Sequence, residues 1–93
     1  MEMKHVEGKS ERQLTLYTLS TCIWCKKTKE FLRELNVAYD HVEVDLLEPG
    51  EKDKAIEEIK KFNPRCSFPS LVIDGKDCIV GFDEQKIKEA VGA

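Results

Sequence analysis

The chain has 93 residues, of which 41% are hydrophobic and 35% charged, and its formal net charge is −3. This length and composition predict one compact domain and exclude a second one. Because the charges are mixed and form no basic block, we expect neither nucleic acid nor a membrane among the partners.

The N-terminal segment, residues 1–12, is polar and charged and has no apolar periodicity. It is predicted to be a flexible leader, and it has neither the apolar core of a secretory signal nor that of a membrane anchor. The folded domain is predicted over residues 13–93. We therefore expect a cytoplasmic protein, in a compartment where thiols are kept reduced.

Apolar periodicities along the rest of the chain predict seven elements in the order β-α-β-α-β-β-α. In chain order these are a strand over 13–19, a helix over 25–35, a strand over 37–45, a helix over 51–62, strands over Ser70–Ile73 and Asp77–Val80, and a last helix capped by Asp83. Asp74-Gly75 is a typical hairpin turn. Because a right-handed crossover joins parallel strands, the first helix is predicted to cover one face of the sheet.

A C-x-x-C motif, Cys22-Ile23-Trp24-Cys25, lies where the first predicted strand gives way to the first helix. Unpaired backbone N–H groups and the helix dipole favour a thiolate at that position, and Lys26 adds positive charge. Cys22 is therefore the predicted attacking thiolate. Cys25 lies inside the helix and is predicted to attack the mixed disulfide and release the substrate. Trp24, held between the two thiols, is predicted to be partly exposed and to contact substrate.

A C-x-x-C pair is also half of many zinc sites, which need about four ligands. The remaining cysteines, Cys66 and Cys78, lie far apart, and His5 and His41 show no paired ligand spacing. We therefore favour redox chemistry and predict no metal ligands. Cys66 and Cys78 are expected to be small packing residues.

A proline, Pro69, directly precedes the predicted strand Ser70–Ile73. An ordinary trans proline at a sheet edge is the default for such a position. In a chain with a C-x-x-C turn upstream and a hairpin downstream, Pro69 is instead a candidate cis proline beside the active sulfur. The extended backbone of Phe68 could then bind a peptide-like substrate by strand addition.

Taken together, the motifs resemble those of the glutaredoxins from about Leu14 to Gly92. The resemblance rests on the strand that contains Tyr17, C-I-W-C for the usual C-P-Y-C, S-F-P at 67–69 for T-V-P, and a glycine-acid segment after the hairpin. It implies an α/β thioredoxin-like fold, with a four-stranded mixed sheet flanked by three helices. The implied roles are Cys22 as nucleophile, Cys25 as resolving thiol, Pro69 as cis proline, Phe68 as a backbone contact, and Asp83 and Glu84 as contacts for the amino end of a glutathione-like thiol.

The chain departs from the glutaredoxin pattern at three positions. Leu19 occupies the place of a lysine that can meet a carboxylate of glutathione, Val80-Gly81 replaces paired glycines, and Ile23 replaces the motif's proline. We therefore expect no tightly bound cofactor and only poor reduction by glutathione. The reductant is predicted to be another low-molecular-weight thiol or a thioredoxin-reductase-type flavoprotein, as for the related small redoxins that serve ribonucleotide reductase.

The function predicted on these grounds is that of a monomeric dithiol oxidoreductase, which reduces disulfides in proteins or mixed disulfides. An alternative is a binding module that holds an iron–sulfur cluster or zinc between subunits, as some glutaredoxins do. Cluster-carrying relatives usually have a single cysteine in C-G-F-S, so the presence of Cys25 favours disulfide exchange. A third hypothesis is a redox-sensing adaptor without turnover.

Overall fold

The computed structural model describes residues 3–92; Ala93 and the first two residues of the predicted leader lie outside this range. Its elements are β1 (Lys4–Val6), β2 (Leu14–Thr18), α1 (Ile23–Glu34), β3 (Tyr39–Glu43), a short 3₁₀ helix (Val44–Leu46), α2 (Pro49–Phe62), β4 (Ser70–Ile73), β5 (Asp77–Val80) and α3 (Glu84–Val91). No helix within the described range is both long and apolar enough to cross a membrane.

The strands form one mixed sheet in the order β1-β3-β2-β4-β5. β2 and β3 run parallel, as the crossover through α1 requires, and the other three pairings are antiparallel. The thioredoxin-like fold predicted from the sequence is thus present, but with five strands instead of four.

The extra strand comes from the segment that was predicted to be a flexible leader. His5 pairs with Asp40 in an antiparallel register, and the backbone of Lys9 exchanges hydrogen bonds with Asn36 (2.9 Å) and Ala38 (2.8 Å). The prediction of a flexible leader is therefore wrong for this part of the segment. The strand is held by its backbone pairing with β3, by the contact of His5 Nδ1 with the Asp40 carboxylate (2.7 Å) and by Val6, which packs against the core. One apolar side chain is too little to give the segment an apolar periodicity.

Two hydrophobic clusters lie on opposite faces of the sheet. The first packs α1 and α3 against the sheet, and the second packs α2 against the other face. Strand β4 shows the underlying alternation, since Leu71 and Ile73 belong to the first cluster and Val72 to the second. The three layers leave the N-terminus of α1 at the end of β2.

Turns and caps explain most element boundaries. Asp74 and Gly75 both have positive φ (53° and 65°), as a tight hairpin turn requires, and they join β4 to β5. The carboxylate of Asp83 accepts a hydrogen bond from the Lys86 amide (3.1 Å) and caps α3, as predicted. Helix α2 begins two residues earlier than predicted, because Pro49 suits the first turn of a helix.

Candidate functional site

Cys22 is the N-cap residue of α1. Its backbone is extended (φ −92°, ψ 115°), and its Sγ accepts a hydrogen bond from the Cys25 amide, with 3.2 Å between N and S. A side chain at an N-cap satisfies an N–H group that has no partner in the helix. The sulfur therefore lies at the positive end of the helix dipole, where negative charge is stabilised. It is also partly exposed and open to a substrate.

Cys25, one turn inside α1, is only 1% exposed. Burial, followed by the hydrogen bond with the Cys22 thiol, raises the pKa of Cys25 to about 12. At neutral pH this thiol is therefore protonated while Cys22 is intact. The two sulfurs of the motif thus differ in exposure in the order that the sequence predicts.

Two carboxylates, one at the end of β3 and one in the following 3₁₀ helix, bind residues on either side of the C-x-x-C motif. The Asp45 carboxylate accepts hydrogen bonds from the Ser20 hydroxyl and from the Ser20 amide (2.8 Å), and these bonds lower the pKa of Asp45. The Lys29 ammonium contacts the Glu43 carboxylate at 2.7 Å and lowers the pKa of Glu43. The first pair ties the approach to Cys22 to the 3₁₀ helix after β3, and the second ties α1 to β3. Neither pair was identified from the sequence, because each joins distant residues.

The Phe68–Pro69 peptide bond is cis, as predicted. Pro69 is fully buried and its carbonyl accepts a hydrogen bond from the Gly81 amide (2.9 Å). The preceding loop is held by the buried Asn63, whose side-chain amide donates to the hydroxyl of Ser67 (3.1 Å). This loop is thereby attached both to the end of α2 and to the segment that follows the hairpin.

Trp24 is 53% exposed, in agreement with the prediction that it is not a core residue. Its ring stacks on that of Phe82, with 6.2 Å between the ring centroids and 25° between the planes. The Lys27 ammonium lies 4.8 Å from the centre of the same indole ring. Lys26 is exposed on the first turn of α1. Phe82 was missed in the sequence; an aromatic residue between a glycine and a helix cap was its only signal.

Four of the six predicted binding residues line one of two hollows, and Lys26 and Asp83 line neither. The first is an open groove of about 470 Å³, here called the thiol groove, lined by Trp24, Phe68, Pro69, Gly81 and Phe82. Glu84 instead lines a neighbouring hollow together with Phe82 and Lys27. Asp83 lines neither hollow, and its carboxylate is engaged in capping α3. The structure thus brings together three of the predicted residues, Trp24, Phe68 and Pro69.

No charged residue lines the thiol groove, and none of the side chains that replace the usual lysine, glycine and proline of the glutaredoxin pattern lines it either. Leu19, in place of a lysine, packs against the second hydrophobic cluster. Val80, in place of a glycine, is 49% exposed. Ile23, between the two cysteines, is 63% exposed and adds an apolar side chain to the surface next to Cys22.

The two remaining cysteines lie outside the C-x-x-C motif. Cys66 and Cys78 are partly buried and pack against the second hydrophobic cluster, as expected for small packing residues. Burial raises the pKa of Cys78. Among residues 3–92, no three His, Cys, Asp or Glu side chains are grouped closely enough to hold a metal ion.

Comparison with known proteins places these features in a family. Residues 14–78 match the family model described as Glutaredoxin. A glutaredoxin of Methanosarcina mazei Go1 is 45% identical, with a TM-score of 0.93 over 100% of this chain and 90% of that one. The methanoredoxin of Methanosarcina acetivorans is 44% identical, with a TM-score of 0.93 over 100% of this chain and 97% of its own. An uncharacterized glutaredoxin-like 8.6 kDa protein in the rubredoxin operon of Clostridium pasteurianum is 35% identical over 78 residues, which are 84% of this chain and 96% of that protein.

Proposed function

The chain belongs to the glutaredoxin family of redox proteins, and we propose that it is a dithiol oxidoreductase that reduces disulfides in proteins and mixed disulfides. The observation that carries this proposal is the contrast between its two sulfurs. Cys22 is accessible at the helix N-terminus, and Cys25 is buried and protonated behind it. Such a pair suits a reaction in two steps.

In the first step, the Cys22 thiolate attacks one sulfur of a substrate disulfide. A bond forms between Cys22 Sγ and that sulfur, the substrate S–S bond breaks, and the other substrate sulfur leaves as a thiolate that takes up a proton. The α1 N-terminus, including the Cys25 amide, stabilises the charge on Cys22 before the attack.

In the second step, Cys25 loses its proton and attacks Cys22 Sγ. The Cys22–Cys25 disulfide forms, the mixed disulfide breaks, and the second substrate thiol is released. Two electrons have then moved from the protein to the substrate. The raised pKa of Cys25 keeps this thiol protonated and unreactive before the first step. Once Cys22 is part of a mixed disulfide, its thiolate no longer raises the pKa of Cys25, and Cys25 loses its proton more readily.

The oxidised protein must regain two electrons. We propose that glutathione is a poor donor and that another low-molecular-weight thiol or a thioredoxin-reductase-type flavoprotein serves better. The thiol groove has no charged residue to meet the carboxylates of glutathione. A missing charge-assisted hydrogen bond weakens binding by about 1.5–3 kcal/mol, or roughly ten- to a hundredfold.

The remaining expectations concern the setting of the reaction. We expect the protein to act as a monomer in the cytoplasm, where disulfide-containing proteins are its substrates and reduced thiols are abundant. No tightly bound cofactor takes part in the two steps. The alternative, a module that binds an iron–sulfur cluster or zinc through Cys22, predicts coloured or metal-containing protein instead of turnover.

The test is to reduce the protein, remove the reductant and mix it with excess of a small peptide disulfide. We expect one peptide disulfide to be reduced per protein, with loss of the Cys22 and Cys25 thiols and formation of their disulfide, identified by mass spectrometry. Metal analysis and an absorption spectrum of the purified protein accompany the assay. Stoichiometric iron or zinc without peptide reduction would favour the binding module. Absence of both would favour the redox-sensing adaptor.

A further inference from the structure

Phe82 joins the hydrophobic core to the motif through a chain of aromatic rings. Its ring meets that of Phe31 edge to face, with 5.8 Å between centroids and 86° between planes, and it stacks on Trp24 on the other side. Phe31 is a member of the first hydrophobic cluster and is only 9% exposed. Both geometries fall within the range in which aromatic pairs attract each other. Trp24 is therefore connected to the core although half of its surface faces solvent.

The segment that carries Phe82 is itself fixed on both sides. The Gly81 amide donates to the Pro69 carbonyl (2.9 Å), and Asp83 caps α3. Gly81 has φ of +81°, a conformation that favours glycine. The backbone at Phe82 therefore has little freedom to move. Phe82 thus restrains the ring of Trp24, and Trp24 does not set the position of Phe82.

An exposed tryptophan on the first turn of a helix would otherwise sample several rotamers. The Lys27 ammonium near the indole ring adds a cation–π contact, but it is borne by a flexible and exposed side chain. Phe82 is the rigid contact, and it also lines the thiol groove beside Trp24. The two rings therefore form one fixed aromatic wall of that groove.

We propose that Phe82 is a positioning residue for disulfide exchange: by holding the Trp24 ring as a fixed wall of the thiol groove, it makes the protein favour disulfides whose cysteine is flanked by an aromatic or branched apolar side chain. The preference rests on the proposed function. Its chemical basis is a groove lined by aromatic and proline residues without charge, next to the exposed Ile23 and Val80. An apolar neighbour of the substrate cysteine would cover this surface during the mixed-disulfide step.

The experiment uses Trp24 as its own reporter, because it is the only tryptophan of the chain. Emission wavelength and anisotropy are measured for the wild type, Phe82→Leu, Phe82→Tyr and the control Phe62→Leu, which alters a partly buried phenylalanine of the other hydrophobic cluster. Phe82→Leu keeps an apolar side chain and removes the ring. We expect it to shift Trp24 emission to longer wavelength and lower its anisotropy. Phe82→Tyr and Phe62→Leu should behave like the wild type.

The second measurement follows single turnovers of the prereduced protein with two peptide disulfides that differ only in Phe or Ser beside the cysteine. Here kcat is the maximal rate and KM the peptide concentration that gives half of it. An aromatic pair contributes enough for a change of roughly two- to tenfold. We expect the wild type and Phe82→Tyr to prefer the Phe peptide by that factor through KM. Phe82→Leu should lose the preference, whereas Phe62→Leu should keep both the preference and the wild-type kcat for the Ser peptide.

The outcomes separate a positioning role for Phe82 from a general loss of packing. An unchanged Trp24 signal and peptide preference in folded Phe82→Leu would overturn the proposal, as would equal effects of Phe82→Leu and Phe62→Leu. If Phe82→Leu does not fold, Trp24→Leu takes its place, and a preference that survives without the indole ring refutes the inference. A wild type that reduces neither peptide contradicts the proposed function, and the fluorescence comparison then still decides whether Phe82 fixes Trp24.

Discussion

The backbone amide of Cys25 points at the sulfur of Cys22, with 3.2 Å between the nitrogen and Sγ. One residue of the pair thus contributes twice to the chemistry, through an amide that stabilises charge on Cys22 and through a buried thiol. The amide contribution survives any substitution of the Cys25 side chain that keeps the helix. Variants of Cys25 can therefore remove the second step and leave the first intact.

Replacing Cys22 and replacing Cys25 should block different steps of disulfide exchange. Cys22→Ser is expected to abolish disulfide reduction, because no accessible thiolate remains at the helix N-terminus. Cys25→Ser is expected to accumulate a mixed disulfide between Cys22 and the substrate, which non-reducing mass spectrometry detects as an added peptide mass. Cys78→Ser, outside the motif, serves as the control and should react like the wild type. Equal residual activity in the two motif variants would contradict the assigned roles.

The raised pKa of Cys25 predicts how alkylation depends on pH. A thiol with pKa of about 12 stays protonated, and hence unreactive, until the solution is strongly alkaline. Iodoacetamide should therefore label Cys22 before Cys25 at every pH from about 6 to about 9, and the labelling rate of Cys25 should still be rising at the upper end. Peptide mapping by mass spectrometry measures both sites in one sample. Labelling of Cys25 ahead of Cys22 would reverse the assignment.

A cation at position 19, whose carbonyl accepts a hydrogen bond from the Cys22 amide (3.2 Å), should improve the use of glutathione. In Leu19→Lys the alkyl stem can keep its packing against the second hydrophobic cluster while the ammonium reaches solvent. We expect reduction of the Cys22–Cys25 disulfide by glutathione to become roughly ten- to a hundredfold faster at low glutathione concentration. Gln13→Lys adds the same charge just before the opposite end of β2 and should have no effect. Wild-type protein that is reduced faster by glutathione than by other donors would contradict the proposal that Leu19 weakens the use of glutathione.

Docking of the N-terminal segment depends on the absence of a side chain at Gly8. A Cβ there would lie 2.6 Å from the Val37 carbonyl carbon and 2.8 Å from the Ala38 nitrogen, both backbone atoms that cannot move aside cheaply. Gly8→Ala should lower the free energy of unfolding by about 1–3 kcal/mol, the usual range for overpacking, and should leave disulfide reduction intact. Gly50→Ala, which meets nothing within 4 Å, is the matched control. Denaturant unfolding of both variants gives the comparison, and equal stability would mean that the segment is not docked.

The Asp45 carboxylate should stabilise the turn before Cys22 in a pH-dependent manner. Its pKa is lowered from 3.8, first by the hydrogen bond from the Ser20 hydroxyl, so its contribution is complete well above 3.8 and is lost as pH falls through the lower folded value. Asp45→Ala is expected to be less stable than the wild type at neutral pH, and the difference should shrink in strong acid. The exposed Asp53 provides a control, Asp53→Ala, for which no such convergence is expected. Chemical unfolding at neutral and acid pH measures the stability of both variants relative to the wild type. If Asp45→Ala were destabilised equally at both pH values, the charge of the Asp45 carboxylate would not be the cause.

Several features follow from the sequence alone because they depend on near neighbours. The position of Cys22 at a helix N-terminus, the turn at Asp74-Gly75 and the cap at Asp83 are each fixed by residues within one helical turn or one hairpin. The alternation of β4 likewise requires only a period of two. The order of these elements and the redox pair are therefore predictable from local sequence patterns.

Tertiary structure alone decided the remaining features. β1 has no apolar periodicity, and it became a strand by pairing with β3, where His5 also contacts the side chain of Asp40, 35 residues away along the chain. The stacking of Phe82 on Trp24 depends on where the sheet places the end of the hairpin relative to α1. These contacts join residues that are distant in sequence, and only the packed sheet and helices bring them within the few ångströms over which hydrogen bonds and ring contacts act.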